Sequence, residues 1–143
     1  MSRLSDALTI LERLEPGASP RVRANLEAFA PDAAELVLGY AFTDILSCPA
    51  LDLRSREMLT VAMLAAMDTA PGQLEFHIRA ALNTGVTREE ITEIILQVSV
   101  YAGVPACMNA ITAAKKAIAR CGGTDPVGDD GQMTVVSATR SRL

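Results

Sequence analysis

The chain has 143 residues, enough for one domain with a real core, and a formal net charge of −4. Half of the residues are apolar, yet only five are Phe or Tyr and none is Trp; Ala, Leu, Ile, Val and Met dominate, which favours close-packed helices over a β-sandwich. With no basic cluster, the balance argues against nucleic acid or an anionic membrane surface as partner.

The opening MSRLSDAL lacks the apolar centre of a leader, and no apolar run approaches ~18 residues, so a cytoplasmic protein without a membrane segment is expected. Cys48, Cys107 and Cys121 are widely spaced with no CxxC pair, which is neither a disulfide framework nor a zinc site. His77 is the single histidine, so no metal site is expected.

In chain order, Leu4, Leu8 and Leu11 give a short helix over 2–14, broken at Pro16-Gly17. Ser19 as N-cap with Pro20 at the first helical position predicts a second helix through Leu26 and Phe29. Pro31 begins a third, running through Leu36, Tyr40 and Ile45 to Cys48, where Pro49 ends it. Asp52 reads as the N-cap of the next helix, in which only Thr60 is polar between Met58 and Met67. A helix so apolar all round needs cover on nearly every side, so part of it is expected to meet another subunit; the alternative is a central helix of a monomer.

Asp68 to Pro71 reads as a loop. A helix, a tight turn and a helix then follow over 72–105. Gly85 suits the left-handed turn, and Thr87 with Glu90 has capping-box spacing. At ~100° per residue, Leu74, Ile78, Ala81 and Leu82 form one apolar stripe, with His77 at its edge beside Gln73. Glu75 and Arg79 fall on the other flank in the order that suits a solvated ion pair. On the next helix Ile91, Ile94, Ile95, Val98 and Ala102 form the core stripe, bordered by Glu90, Gln97 and Tyr101. Gly103-Val104-Pro105 reads as a break, and a last helix runs over 106–120 to Gly122-Gly123. The whole is an all-α, single-domain bundle of about six helices over 1–121. A flexible tail over 122–143 is expected, with a small strand over 134–137 as the alternative.

Three segments, DLRSREMLTVAMLAA (52–66), QLEFHIRAALNTGVTREEITEII (73–95) and YAGVPACMNA (101–110), resemble the carboxymuconolactone decarboxylase family within the alkylhydroperoxidase D-like superfamily. The resemblance covers about residues 40 to 120. It implies an all-α fold, a cofactor-free decarboxylase and assembly into homotrimers or homohexamers. The peroxide-reducing branch of the superfamily uses a CxxCxxxH motif; its cysteines would fall at Ala70 and Gln73, and neither is present. The family histidine maps to His77. The decarboxylase commonly has Glu four residues before it, where this chain has Gln73.

The resemblance implies loss of CO₂ from a small, acidic, carboxylated lactone in aromatic-compound breakdown. The electron pair left behind spreads into the lactone carbonyl, and carbon is then protonated. His77 is the candidate proton donor, since imidazole ordinarily titrates near neutrality. Gln73 is the candidate to hold the ring or donate to the lactone oxygen. Arg54 or Arg56 is the candidate carboxylate binder, and Tyr101 a further hydrogen-bond donor. Each has a plainer alternative. His77 is then packed and hydrogen-bonded, Gln73 lies on the surface, and Tyr101 lies at the core edge. Arg54 and Arg56 then pair with Asp52, Glu57 or a neighbouring subunit. Two other functions compete: peroxide reduction through Cys48 or Cys107, and a non-catalytic oligomer that binds a small molecule or protein.

Overall fold

The computed structural model describes residues 2–121, which form seven α-helices and one π-helical segment without a strand among them. This is the expected all-α bundle, with one more α-helix than the six anticipated. The tail over 122–143, including the strand considered for 134–137, lies outside the described residues.

The helices are α1 (Arg3–Leu14), α2 (Ala18–Phe29), α3 (Ala33–Leu38), α4 (Leu53–Met67), α5 (Pro71–Asn83), α6 (Arg88–Ala102) and α7 (Val104–Cys121). The third expected helix changes its winding midway. After α3 the chain continues as a π-helical segment, Gly39–Leu46. The Arg3 guanidinium docks on this junction, bonding the Asp44 carboxylate at 2.6 and 3.0 Å and the Glu35 carbonyl at 3.2 Å. A side chain at Gly39 would press on that guanidinium, its Cβ lying 2.8 Å from an Arg3 nitrogen.

Local signals set several ends as expected. The Asp52 carboxylate accepts from the Ser55 N–H at 2.8 Å and caps α4. Thr87 and Glu90 form the complete capping box at the start of α6. Gly85 takes φ +97°, and the Gly85 and Val86 N–H groups bond back to Leu82 and Ala81, satisfying carbonyls that the end of α5 would otherwise leave open.

Other ends differ. Helix α2 starts at Ala18, not after Ser19. Its N-terminus is held by Glu12 of α1, whose carboxylate accepts from the N–H groups of Gly17 and Ser19, while the Ser19 hydroxyl donates to the Leu8 carbonyl. Pro71 and Pro105 lie inside the first turns of α5 and α7, where a missing N–H costs nothing. Gly103, at φ +94°, alone makes the last break.

Two cores share α5. Leu74, Ile78 and Ala81 face a core built from α4, α6 and α7, with Val61, Ile91, Ile95 and Ala110. Ala80 and Phe76 face a second core of α1, α2, α3 and the π-helical segment. Fully burying a side chain such as Ile78 contributes about 1.5–3 kcal/mol, so α5 is held on two sides. At ~100° per residue His77 falls between Ala80 and Ala81, on the line where the two cores meet. Arg79 is not the solvated partner of Glu75. It is buried, and its Nε donates to Glu15 at 2.6 Å, pinning α5 to the end of α1.

Helix α4 is not fully buried by the chain. Leu59, Met63 and Met67, four residues apart, are about half exposed. With Met58, Ile94, Val98 and Tyr101 of α4 and α6, part of this stripe borders an apolar groove of about 620 Å³. No helix among the described residues is long and apolar enough to cross a membrane.

Candidate active site

Helix α4 carries Glu57 on the same stripe as Val61 and Ala65, four and eight residues on, so its carboxylate is turned into the protein and has zero exposure. Helix α5 brings His77 against it, with 2.7 Å between Nδ1 and Glu57 Oε2. A carboxylate only accepts, so Nδ1 carries the proton and donates. The ring is largely covered, its side chain 16% exposed. Phe76 meets it edge-on at 5.1 Å between centroids and limits its tilt.

The other Glu57 oxygen, Oε1, is buried and makes no hydrogen bond to the described residues. An unsatisfied buried polar atom costs about 1–3 kcal/mol. A site that tolerates this cost around its single imidazole is arranged for something other than maximal stability.

His77 and Gln73 line one cavity of about 590 Å³ between α5 and the N-terminal helices. Val22 and Leu26 of α2, Leu38 of α3 and Phe42 of the π-helical segment give it apolar walls. Arg21 and Asn25 of α2 add polar groups. Since Glu57 occupies Nδ1, Nε2 is the nitrogen left for a ligand; it makes no hydrogen bond to the described residues. The arrangement supplies a positioned proton donor or acceptor beside an apolar chamber, its ring held in place by a buried carboxylate.

Of the residues singled out from sequence, only His77 and Gln73 are brought together. Gln73 stands at the exposed rim, one turn before His77. Arg54 ties α4 to the α5–α6 turn, donating to Glu90 and to the Gly85 carbonyl. Arg56 holds the preceding loop through the Leu51 and Cys48 carbonyls. Neither arginine lines the His77 cavity, and Tyr101, 89% exposed, borders the separate apolar groove. Glu57 is the residue that sequence reasoning missed as a site member. The available signal was an acid continuing the buried Val61–Ala65 stripe.

Cys48 is exposed, Cys107 is buried, and neither lines this cavity. No group of three or more His, Cys, Asp or Glu side chains among the described residues is placed to hold a metal.

These features are those of an all-α protein with a buried carboxylate–imidazole pair at a small chamber. The carboxymuconolactone decarboxylase family model matches residues 31–116, and the chain belongs to that family. It is 38% identical over 82 residues to 4-carboxymuconolactone decarboxylase of Acinetobacter baylyi, covering 57% of this chain and 60% of that protein. It is 34% identical over 94 residues to nitrosuccinic acid decarboxylase npaB of Metarhizium robertsii, covering 66% of this chain and 65% of that one. An uncharacterised 15.0 kDa protein from the nqo9–nqo10 intergenic region of Paracoccus denitrificans is 30% identical over 95 residues, or 66% of this chain and 71% of its own length. The chain thus spans less than two thirds of each of the two decarboxylases. Glu57, Gln73 and His77 lie inside the family match, whereas α1 and α2 precede it.

Proposed function

We propose that the protein is a cofactor-free carboxy-lyase acting on a small carboxylated lactone in aromatic-compound catabolism. The observation that carries this reading is His77, held through Nδ1 by buried Glu57 while lining the chamber. The two decarboxylases among its relatives support it. As the substrate loses CO₂, the electron pair of the broken C–C bond moves into the lactone carbonyl as an enolate. Gln73, at the rim, donates to that oxygen. Imidazolium Nε2–H of His77, held at Nδ1 by the Glu57 carboxylate, then delivers its proton to carbon, and the ring, now neutral, takes a proton back from water. The apolar walls keep bulk water from competing. The active form is a homotrimer or homohexamer, closed over the exposed apolar stripe of α4.

The test is turnover of 4-carboxymuconolactone, followed by absorbance and by CO₂ release. Wild type is expected to release one CO₂ per substrate consumed, and His77→Ala to be slower by about 10²–10⁴-fold, the usual range for a lost acid–base group. Equal rates in the two proteins would end this reading.

A further inference from the structure

The His77 chamber has a cation that its family match does not include. Arg21, on α2, lines the cavity and donates from one guanidinium nitrogen to Glu15 Oε2 at 2.7 Å. Glu15 also accepts from buried Arg79 at 2.6 Å. Two arginines therefore share one carboxylate, and the cluster retains a net charge of about +1 beside the chamber. Burial pushes the Glu15 carboxyl up, but the hydrogen bonds from Arg79 and Arg21 outweigh it and hold it below its ordinary range, so Glu15 stays charged and keeps the fork in place. The Arg21 side chain is 59% exposed, and its other N–H groups make no hydrogen bond to the described residues. They remain free to grip a second carboxylate. Asn25, one turn further along α2, lines the same wall and offers another donor. Arg54 and Arg56, by contrast, are engaged elsewhere.

We propose that Arg21 is the substrate-anchoring residue of this chamber, binding a carboxylate that the reaction retains while His77 acts at the other end of the molecule. The proposal deepens the lyase reading and rests on it for the word substrate. It specifies the class: small acids carrying one carboxylate beyond the group that is lost, with an apolar body between. Glu15 is a positioning residue that aims the guanidinium. Because α2 precedes the matched residues 31–116, this selectivity belongs to the chain's own N-terminal helices.

The single histidine supplies a readout that needs no turnover. The His77 ring C–H resonance can be followed by NMR while succinate, or its neutral analogue succinamide, is titrated into the full chain. Arg21→Gln and Arg21→Lys are compared with Arg23→Gln, a control on the same helix whose arginine pairs with Glu27 and does not line the chamber. Succinate is expected to move the signal saturably in wild type and Arg23→Gln. Its affinity should fall at least tenfold in Arg21→Gln and less in Arg21→Lys, and succinamide should be ineffective throughout. Wild-type affinity in Arg21→Gln, equal binding of succinamide, or no response to succinate would overturn the anchor. The two readings fail separately. If the lactone is not turned over but succinate binding depends on Arg21, the anchor stands and the lyase reading falls. If the lactone is turned over with the same KM in Arg21→Gln, the lyase reading stands and the anchor falls.

Discussion

Glu57 and His77 are 20 residues apart in sequence, and Oε2 and Nδ1 are 2.7 Å apart in space, with the carboxylate fully enclosed. The pair is unequal: glutamate has no access to solvent, whereas the ring borders a chamber. Removing the two members should therefore have different consequences.

His77→Ala leaves a buried carboxylate without the hydrogen bond that the ring supplies. Breaking a buried pair in this way costs about 3–5 kcal/mol. Glu57→Gln removes the charge at nearly constant volume and leaves His77 near the chamber, where water can serve it. Urea denaturation should show a large loss for His77→Ala and a small change, or a gain, for Glu57→Gln. The double variant should recover part of the loss, a coupling of about 0.5–3 kcal/mol in the cycle. Additive losses would mean that the contact carries little energy.

The same Glu57→Gln variant should lose activity although it keeps stability. A neutral amide neither stabilises an imidazolium nor fixes the ring as firmly. A fall of kcat by roughly 10²-fold or more, with KM little changed, is the expected pattern. An unchanged kcat would reduce Glu57 to a packing residue.

Much of the fold was legible because its signals are local. Gly85, Thr87 and Glu90 determine the α5–α6 turn within six residues, and the apolar spacing of both helices does the rest. The start of α2 was misread because its cap, Glu12, comes from another helix. Arg79 was misread likewise, since Glu15 outcompetes the nearby Glu75 only once α1 docks on α5. The site followed the same division. His77 and Gln73 are one turn apart and were found together. Glu57 reaches the His77 ring and Arg21 reaches the chamber from other helices, and no spacing rule links either of them to His77.

Acid should weaken the fold. Backbone N–H groups of Gly17 and Ser19 hold the Glu12 carboxyl below its ordinary range; Ser55 does so for Asp52, and Arg54 with Thr87 for Glu90. In each case the folded state favours the carboxylate. The stabilisation is therefore complete above the ordinary carboxyl range, about pH 4, and is lost as pH falls through the depressed folded values. Urea midpoints should decline as pH falls below about 4. Glu90→Gln should flatten that decline, and a midpoint that rises on acidification would contradict the assignment.

The half-exposed stripe of Leu59, Met63 and Met67 makes a statement about assembly testable. Light scattering on a sizing column should find a trimer or hexamer for wild type and smaller species for Met63→Glu, which places a charge in the middle of the stripe. A monomeric wild type would remove the assembly from the account.

Whether the imidazole gives its proton to carbon is best tested by running the lactone reaction in D₂O and locating the label in the product by NMR. Wild type should place one deuterium on one face of the former carboxyl-bearing carbon or its conjugate position, because a single fixed ring delivers it. His77→Gln, checked as folded, should react far more slowly and label both faces. Single-face labelling at the wild-type rate in His77→Gln would show that another group delivers the proton and would contradict the account.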